Sequence, residues 1–585
     1  MIVNTSKGQK KLSILEGKTI LQLLQENDIY LSAICGGRGA CGKCKIKVLK
    51  GSLPITLKDE KYFSKEELEK GYRLACSAYP EEGLEITMDF SEEDFIIVNE
   101  FCRRFRKIDS RLHIVDISLE DIDWHKINSM HLAIQSKLQE SYQLSYKGLK
   151  ALSNLLDDAV QTSNKSSVQL LVKDNIILDA FSKEAIQTYG IAIDIGTTTL
   201  GFHLLDLQTG EIEGTYSQLN SQRMYGADVI TRIQSATTGN LEKLKVAIIK
   251  DIVTGVEKLL SNTGINKRFI YSTTIAGNTT MLHLLLGLSP RSLGQFPFTS
   301  TILSLMEYNF EKVLQSNLLD CSVDLLPGID AYVGADIVAG ILHHEMFQTE
   351  KVTMLIDIGT NGEIVIGNRA GFLATATAAG PALEGGNISC GTGCITGAIT
   401  SVIYDGGNFQ YKTIGDEKPI GLCGSGIIDM VAEGLKHGWI DKTGRLSEIF
   451  LNGEVILYQD EKNGVIKLTQ KDIREIQLAK SALRSGIKCL MEQYGVDYGG
   501  IDCVYLAGGF GSNINIESAV RIGLIPEELK EKIQISGNSC LGGVVKYLLD
   551  KSCKQYLTAI VNKAKAINLS SDLKFNDLFI NNIYF

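Results

Sequence analysis

Short apolar runs separated by polar turns open the chain. Residues 1–3 and 11–14 flank Lys7-Gly8, which predicts a hairpin. From Thr19 to Asp28 the apolar residues Ile20, Leu23 and Leu24 recur at helical spacing, with Thr19 placed to cap the helix. A loop rich in cysteine and glycine follows, then strand-like stretches at 45–49 and 84–90. Residues 1–92 therefore read as a small α+β unit. Residues 93–125 are rich in charge and lack sustained periodicity, which reads as a linker holding short ordered pieces. A helix over 141–160 and a hairpin, 168–172 and 176–181 around Lys173-Asp174-Asn175, predict a small middle domain over 126–185.

The pattern changes near residue 186. Apolar β-rich runs now end in glycine-rich turns and helical stretches follow, an α/β signature. GIAIDIGTTTLGFHLLD at 190–206 and TMLIDIGTNGEIVIG at 353–367 resemble each other, so residues 186–585 read as two homologous lobes, about 186–350 and 351–585.

Composition narrows the function classes. At 585 residues the chain is too long for one hydrophobic core. A net charge of −9 with no compensating basic stretch argues against nucleic acid as a partner. No apolar run reaches the roughly 18 residues of a membrane span. The opening MIVNTSKGQKKLSI lacks the apolar core of a signal peptide, so a cytoplasmic location is expected. Thirteen cysteines, an odd number in a large chain, do not form a disulfide scaffold.

Four of those cysteines stand in ligand spacing. Cys35, Cys41 and Cys44 form a C-x5-C-x2-C loop, and Cys76 follows in Arg73-Leu-Ala-Cys76. A 2Fe–2S cluster takes four thiolates. One loop can supply three only if its backbone stays close, and Gly36, Gly37, Gly39, Ala40 and Gly42 remove the bulk that would prevent it. A zinc knuckle shares C-x2-C but seldom surrounds three cysteines with five small residues. The five-residue gap resembles ferredoxins of the adrenodoxin kind. Cys102 lies outside the set.

The second chemical signal is a trio of loops. Asp194-Ile-Gly196-Thr197-Thr198-Thr199 joins two strands, and its small residues let the backbone wrap a phosphate while the aspartate holds Mg2+ through water. Asp357-Ile-Gly359-Thr360-Asn361-Gly362-Glu363 repeats the design. Ala507-Gly508-Gly509-Phe510-Gly511-Ser512-Asn513 then turns sharply after a strand, beneath a nucleotide-sized ligand. It is neither GxGxxG nor a P-loop. In this order the three loops resemble the superfamily of actin, sugar kinases and heat-shock chaperones, which implies two lobes closing on ATP.

A ferredoxin-type unit joined to such an ATPase resembles the reductive activators of corrinoid proteins. Local matches are Tyr225-Gly-Ala-Asp228-Val, Ile275-Ala-Gly277-Asn278-Thr279-Thr280-Met281, Gly380-Pro-Ala-Leu-Glu384-Gly385 and Gly421-Leu-Cys-Gly424-Ser425-Gly426. The resemblance implies a multidomain α+β and α/β chain: an N-terminal ferredoxin-like β-grasp, a small α+β middle domain and a two-lobed actin-like ATPase fold. It implies an ATP-hydrolysing iron–sulfur protein that returns Co(II) corrinoid to Co(I) in a methyltransferase system. Its partners would be the corrinoid protein and an upstream low-potential donor, with a homodimer as one possible assembly. ATP has a physical role here: for one electron each ~59 mV uphill is a factor of ten, about 1.4 kcal/mol.

The expected assignments are then Cys35, Cys41, Cys44 and Cys76 for the cluster, and Asp194 and Asp357 for Mg2+ and phosphate. Asp336, in Val333-Gly-Ala-Asp336, either orients the attacking water or starts a helix. Asn278 is a cleft residue or a cap. Ser389, in Ser389-Cys390-Gly-Thr-Gly-Cys394, faces the partner's cobalt or simply closes a tight loop. Cys390, Cys394 and Cys423 fit no recognised metal spacing. His343-His344-Glu345 lacks a third ligand and reads as a solvated helix end. The competing functions are an activator of a radical dehydratase, a sugar kinase, and a nucleotide-switched binding module. The N-terminal cysteine set argues against the first two.

Overall fold

The computed structural model describes residues 1–5, 8–27, 29, 31, 37, 39, 42, 44–88, 108–119, 129–138, 141–162, 167–182, 186–448, 453–460, 464–509, 514–569 and 572–585. Cys35, Cys41, Cys102, Gly511 and Ser512 lie outside these residues.

The N-terminal unit is a five-stranded sheet centred on Glu85–Thr87; Ile2–Thr5 lies beside it in parallel and pairs antiparallel with Gly8–Lys11. Lys45–Lys50 and Tyr72–Leu74 complete it. The helix Ile20–Glu26 starts where Thr19 and Gln22 satisfy each other's backbone N–H in a capping box. It buries Ile20, Leu21, Leu23 and Leu24 against the sheet. The expected hairpin, helix and closing strand are all present.

A four-stranded sheet follows, in the order Leu112–Ser118, Ser167–Lys173, Ile176–Phe181, Gln143–Leu144. Its first strand lies inside the stretch read as a linker. In the sequence the charged run before it hides it. In the fold it gains a full antiparallel partner in Ser167–Lys173. Arg111, just before it, is only 7% exposed and is neutralised by residues remote in sequence. Its guanidinium reaches Asp324 at 3.1 Å, Glu307 at 3.0 Å and the Tyr547 hydroxyl at 3.2 Å, and also pairs with Asp174. Lys173 adds a 2.8 Å bond to Glu307. These acids hold the Arg111 guanidinium well above its ordinary value, despite burial. The middle unit is thereby bolted to the first lobe and to the helix Ser539–Leu549.

The two lobes share the order of five strands and differ in the edge to which the sixth is added. In the first, Tyr189–Ile195 pairs antiparallel with Thr199–Asp206 and parallel with Ile270–Gly277. In the second, Thr353–Ile358 pairs antiparallel with Gly362–Asn368 and parallel with Cys503–Ala507. Each central strand is almost wholly buried, as a strand covered on both faces must be. Two helices, Ala335–His343 and Ser539–Leu549, cross between the sheets and share one core with the first lobe. Their contact is close because Gly543 faces Ala339; a Cβ there would stand 2.0 Å from the Ala339 carbonyl oxygen.

One expectation fails in this region. His343 and His344 are 1% and 5% exposed, so they do not form a solvated helix end. His344 stacks on Tyr505 at 3.8 Å and bonds Ser536 Oγ at 2.8 Å, while Glu345 pairs with Lys546. The imidazoles fill space between helix and sheet, which polarity alone does not reveal.

Candidate functional site

Two hairpin turns face each other across a cleft between the lobes. One is the turn between Tyr189–Ile195 and Thr199–Asp206; the other lies between Thr353–Ile358 and Gly362–Asn368. Asp194, Gly196, Thr197, Thr198 and Thr199 line one wall, and Asp357, Gly359, Thr360 and Asn361 the opposite wall. Gly508 and Gly509 close the floor. At Gly508 φ is +94°, and a Cβ would sit 2.4 Å from Ile358 O and 2.7 Å from Asp357 Oδ1. Only glycine lets the third loop approach the second aspartate so closely.

Three helices begin at this cleft. Asn278 caps Thr279–Leu286, Gly334 precedes Ala335–His343 and Asn538 caps Ser539–Leu549. Their free N–H groups and positive dipole ends favour an anion there. Asn278 does both things expected of it: its Oδ1 accepts from Met281 N at 3.0 Å and its Nδ2 donates to Thr197 Oγ1 at 3.1 Å. Asp336 likewise stands in the first turn of its helix and in the cleft lining.

Five carboxyl groups converge here: Asp194, Asp336, Asp357, Glu363 and Glu384. Burial raises all five above the ordinary carboxyl range. Burial, with Asp194 beside it, lifts Asp336 to about 7. Burial, with Asp336, Asp194 and Glu384 around it, lifts Asp357 to about 8. Asp194 is partly relieved, because Asn538 Nδ2 donates to its Oδ2 at 2.9 Å and Cys540 also hydrogen-bonds to it. Thr360 Oγ1 donates to Glu384 at 2.6 Å. All five donors are hard oxygens, the chemistry that suits Mg2+. No group of three or more His, Cys, Asp or Glu residues among the described residues forms a ready-made metal cage. A Mg2+ ion arriving with nucleotide phosphates, and keeping several waters, fits that arrangement.

Sequence reasoning missed Arg232, Asn538 and Cys540. Arg232 is fully buried on Val229–Ser235, the helix capped by Asp228. It donates to Gly226 O at 2.8 Å and to Thr197 O at 2.5 Å, so it steadies the first phosphate loop. Burial pulls its pKa down to about 9. The Tyr225-Gly-Ala-Asp228 match was the available signal, because the arginine lies one helical turn beyond its cap. Nothing local marks Asn538.

In the N-terminal unit, Cys44 and Cys76 sit in the core at 1% and 8% exposure, and Ala75 N donates to Cys44 O at 2.8 Å. The other two expected ligands are outside the described residues. Three described glycines beside them, Gly37, Gly39 and Gly42, have φ of +86°, +74° and +67°. A Cβ on Gly42 would lie 2.5 Å from the Tyr62 ring, so the chain here depends on glycine. Gly37 and Cys76 face a cavity shared with Tyr225 and Lys243 of the first lobe. Gln25 donates to Met224 O across this junction, and Glu26 pairs with Lys243 at 3.9 Å. Ser389 is exposed outside the nucleotide cleft, with its N and Oγ held by Asp472 Oδ1 at 2.7 and 3.0 Å.

Comparison with known proteins agrees with this architecture. Residues 4–81 match the 2Fe-2S iron-sulfur cluster binding domain family, residues 189–349 the RACo middle region, and residues 351–585 the C-terminal ASKHA domain of RACo. The "middle region" of that description is thus the first lobe here, not the small sheet before it. The chain is 29% identical over 607 residues to the corrinoid activation enzyme RamQ of Eubacterium limosum, covering 99% of this chain and 98% of the relative. It is 26% identical over 431 residues to a [Co(II) methylated amine-specific corrinoid protein] reductase of Methanosarcina barkeri, covering 67% and 76%. A solved structure of a reductive activator for corrinoid, iron-sulfur protein superposes with a TM-score of 0.75 at 30% identity, covering 100% of this chain and 98% of that one. With its cluster-binding unit and paired lobes in the same order along the whole chain, this protein belongs to the family of reductive activators of corrinoid proteins.

Proposed function

We propose that the chain is an ATP-dependent reductive activator that returns a Co(II) corrinoid on a separate protein to Co(I). The observation that carries the reading is one chain holding both the glycine-dependent cysteine loop and the carboxylate-lined cleft at three helix starts. When bound, the 2Fe–2S cluster supplies one electron and Mg–ATP supplies the free energy of hydrolysis. Cys35, Cys41, Cys44 and Cys76 hold the first group. For the second, Asp194 and Asp357 hold the cation's waters from opposite lobes, and the Thr197–Thr199 and Gly359–Asn361 turns wrap the phosphates. Gly508 and Gly509 lie on the adenosine side, and Gly511 and Ser512, outside the described residues, are assigned to the same contact. Asp336, lifted to about 7 in the ligand-free cleft, is placed to orient the attacking water.

Because one aspartate comes from each lobe, phosphate contacts favour a closed arrangement of the lobes. Arg111 ties the closing elements to the middle unit, since its partners Asp324 and Tyr547 belong to the first lobe and to the helix capped by Asn538. The upstream donor is a low-potential electron carrier. Among the described residues no helix is long and apolar enough to cross a membrane.

The decisive test mixes anaerobic holoprotein with a candidate Co(II) corrinoid protein, reductant and Mg–ATP, and follows the Co(I) absorbance. Co(I) accumulates only when both ATP and reductant are present. Equal yield without ATP would overturn the assignment. Cys41→Ser keeps ATP hydrolysis within about twofold, loses the two irons and two sulfides expected per chain, and forms no Co(I).

A further inference from the structure

One short helix lies directly on the cysteine loop. Leu57–Tyr62 starts at a capping box between Thr56 and Asp59. Asp59 is 1% exposed, and its Oδ1 accepts from Leu74 N at 2.8 Å, which pins the helix to the strand leading to Cys76. The Lys58 side chain rests against Gly39: a Cβ there would stand 2.5 Å from Lys58 Cδ. Tyr62 covers Gly42 in the same way, and Lys61 Nζ sits 5.3 Å from the centre of the Tyr62 ring. The outer side of this segment is open. Leu57 is 86% exposed and Ile55 50%, with Lys58 and Lys61 exposed beside them.

Positive charge gathers at the same place. Residues 38–61 hold seven Lys and Arg against two Asp and Glu, and one of those two acids is the buried Asp59. Residues 1–88 hold fourteen against eleven, so the cluster unit is the positive end of a chain whose net charge is −9. An exposed apolar pair with a charged rim has the anatomy of a docking patch. Electron-transfer encounters bury less than about 1,200 Å², so a patch this small suffices. The other side of the unit is already engaged: Ile20–Glu26, Gly37 and Cys76 face the first lobe.

We propose that the open face of Leu57–Tyr62 docks the upstream electron donor, and that this donor is a protein with an acidic surface around its redox centre. The proposal rests on the reading of the chain as a reductive activator and adds the chemistry its donor must present. Leu57 and Ile55 exclude water at the centre of the contact, while Lys58 and Lys61 steer and orient the acidic rim. A reduced carrier bears one more negative charge than its oxidised form, so the lysines favour the form that has an electron to give. The carrier is oxidised by one electron, the cluster is reduced by one, and the oxidised carrier leaves less tightly held. A corrinoid protein that responds to nucleotide has to touch the lobes. A donor does not, and this face is open to it.

The test titrates oxidised, anaerobic holoprotein with an oxidised acidic eight-iron ferredoxin by calorimetry, at low and at high salt. Binding to the unaltered protein is expected to weaken by roughly tenfold or more as salt rises. Lys58→Glu and Lys61→Glu should each weaken binding at low salt by roughly tenfold and flatten the salt dependence, and Leu57→Asp should weaken it at either salt. The rate at which reduced ferredoxin bleaches the cluster should fall in parallel. Each variant should keep its iron and sulfide and give an unchanged Co(I) yield with Ti(III) citrate as reductant. If Lys58→Glu loses iron, Lys61→Glu and Leu57→Asp decide the question. Salt-insensitive binding to the unaltered protein, or full affinity in Lys61→Glu and Leu57→Asp, would overturn the proposal. So would variants that lose the corrinoid protein and keep the ferredoxin, because the face would then serve the acceptor. Failure of the unaltered protein to form Co(I) with Ti(III) citrate and ATP would instead count against the activator reading, which the calorimetry does not test.

Discussion

The two phosphate turns are near copies in sequence and in strand pairing, yet their aspartates live in different electrostatic surroundings. Asp194 accepts hydrogen bonds from Asn538 and Cys540, both supplied by a helix that begins 344 residues further along the chain. Asp357 has three carboxyl neighbours, and with burial they lift it to about 8. Repetition of a loop therefore does not repeat its chemistry. The first turn is a braced anchor, with Arg232 and Asn278 fixing Thr197. The second gathers like charges, and on the proposed reading it is the turn whose charge state should change most when Mg–ATP binds.

The largest effect should come from removing that second carboxylate. Asp357→Ala is expected to lower Mg–ATP hydrolysis by roughly 100-fold or more, while the cluster remains reducible and Co(I) formation is lost. Asp194→Ala should also lose hydrolysis. Normal turnover in both variants would dissolve the comparison, because the cleft would then not be the ATP site.

The next effect is a proton count. At pH 7 a sizeable share of Asp336 and Asp357 is protonated in the free cleft, since they sit at about 7 and about 8. Binding Mg–ATP at that pH should release on the order of one proton, read by calorimetry in buffers of different ionisation enthalpy. Asp357→Asn should reduce the release more than Asp194→Asn. The same groups set the pH dependence of the free protein. Their folded values are raised, so their stabilisation is complete below the unfolded carboxyl value near ~4 and is lost as pH climbs through about 7 to 8. Ligand-free protein should melt at a lower temperature at pH 8 than at pH 5, and Mg–ATP should narrow the gap. A melting temperature that rises over this range would contradict the cleft as described.

Bracing is tested by Asn538→Ala, which leaves Asp194 without its 2.9 Å donor. Turnover should fall by about tenfold, the scale of one lost hydrogen bond to a charged group. A loss as large as that of Asp357→Ala would mean the two aspartates play equal roles. The smallest effect concerns the other end of the molecule. ATP added to isolated protein should shift the cluster potential by less than ~30 mV, because the nucleotide acts on the docked corrinoid protein. A large drop without partner, seen in a redox titration, would move the coupling into the chain itself.

The chain's own order of residues determined whatever depends on near neighbours. Thr19 and Gln22 set the first helix, Asp-Ile-Gly-Thr set both phosphate turns, and glycines at 37, 39, 42 and 508 mark backbone that no side chain tolerates. Such signals are legible because caps, turns and positive φ are decided within a few residues. Only the tertiary structure decided the rest. It made a strand of Leu112–Ser118 within an apparent linker, because Ser167–Lys173 pairs with it and the acids around Arg111 lie far along the chain. It buried His343 and His344, gave Asn538 to Asp194, and drew Asp336 into the cleft. Each of these outcomes rests on burial and on charges brought together from separate segments, and the free energy of a charged or polar group is fixed by those distant neighbours rather than by its place in the sequence.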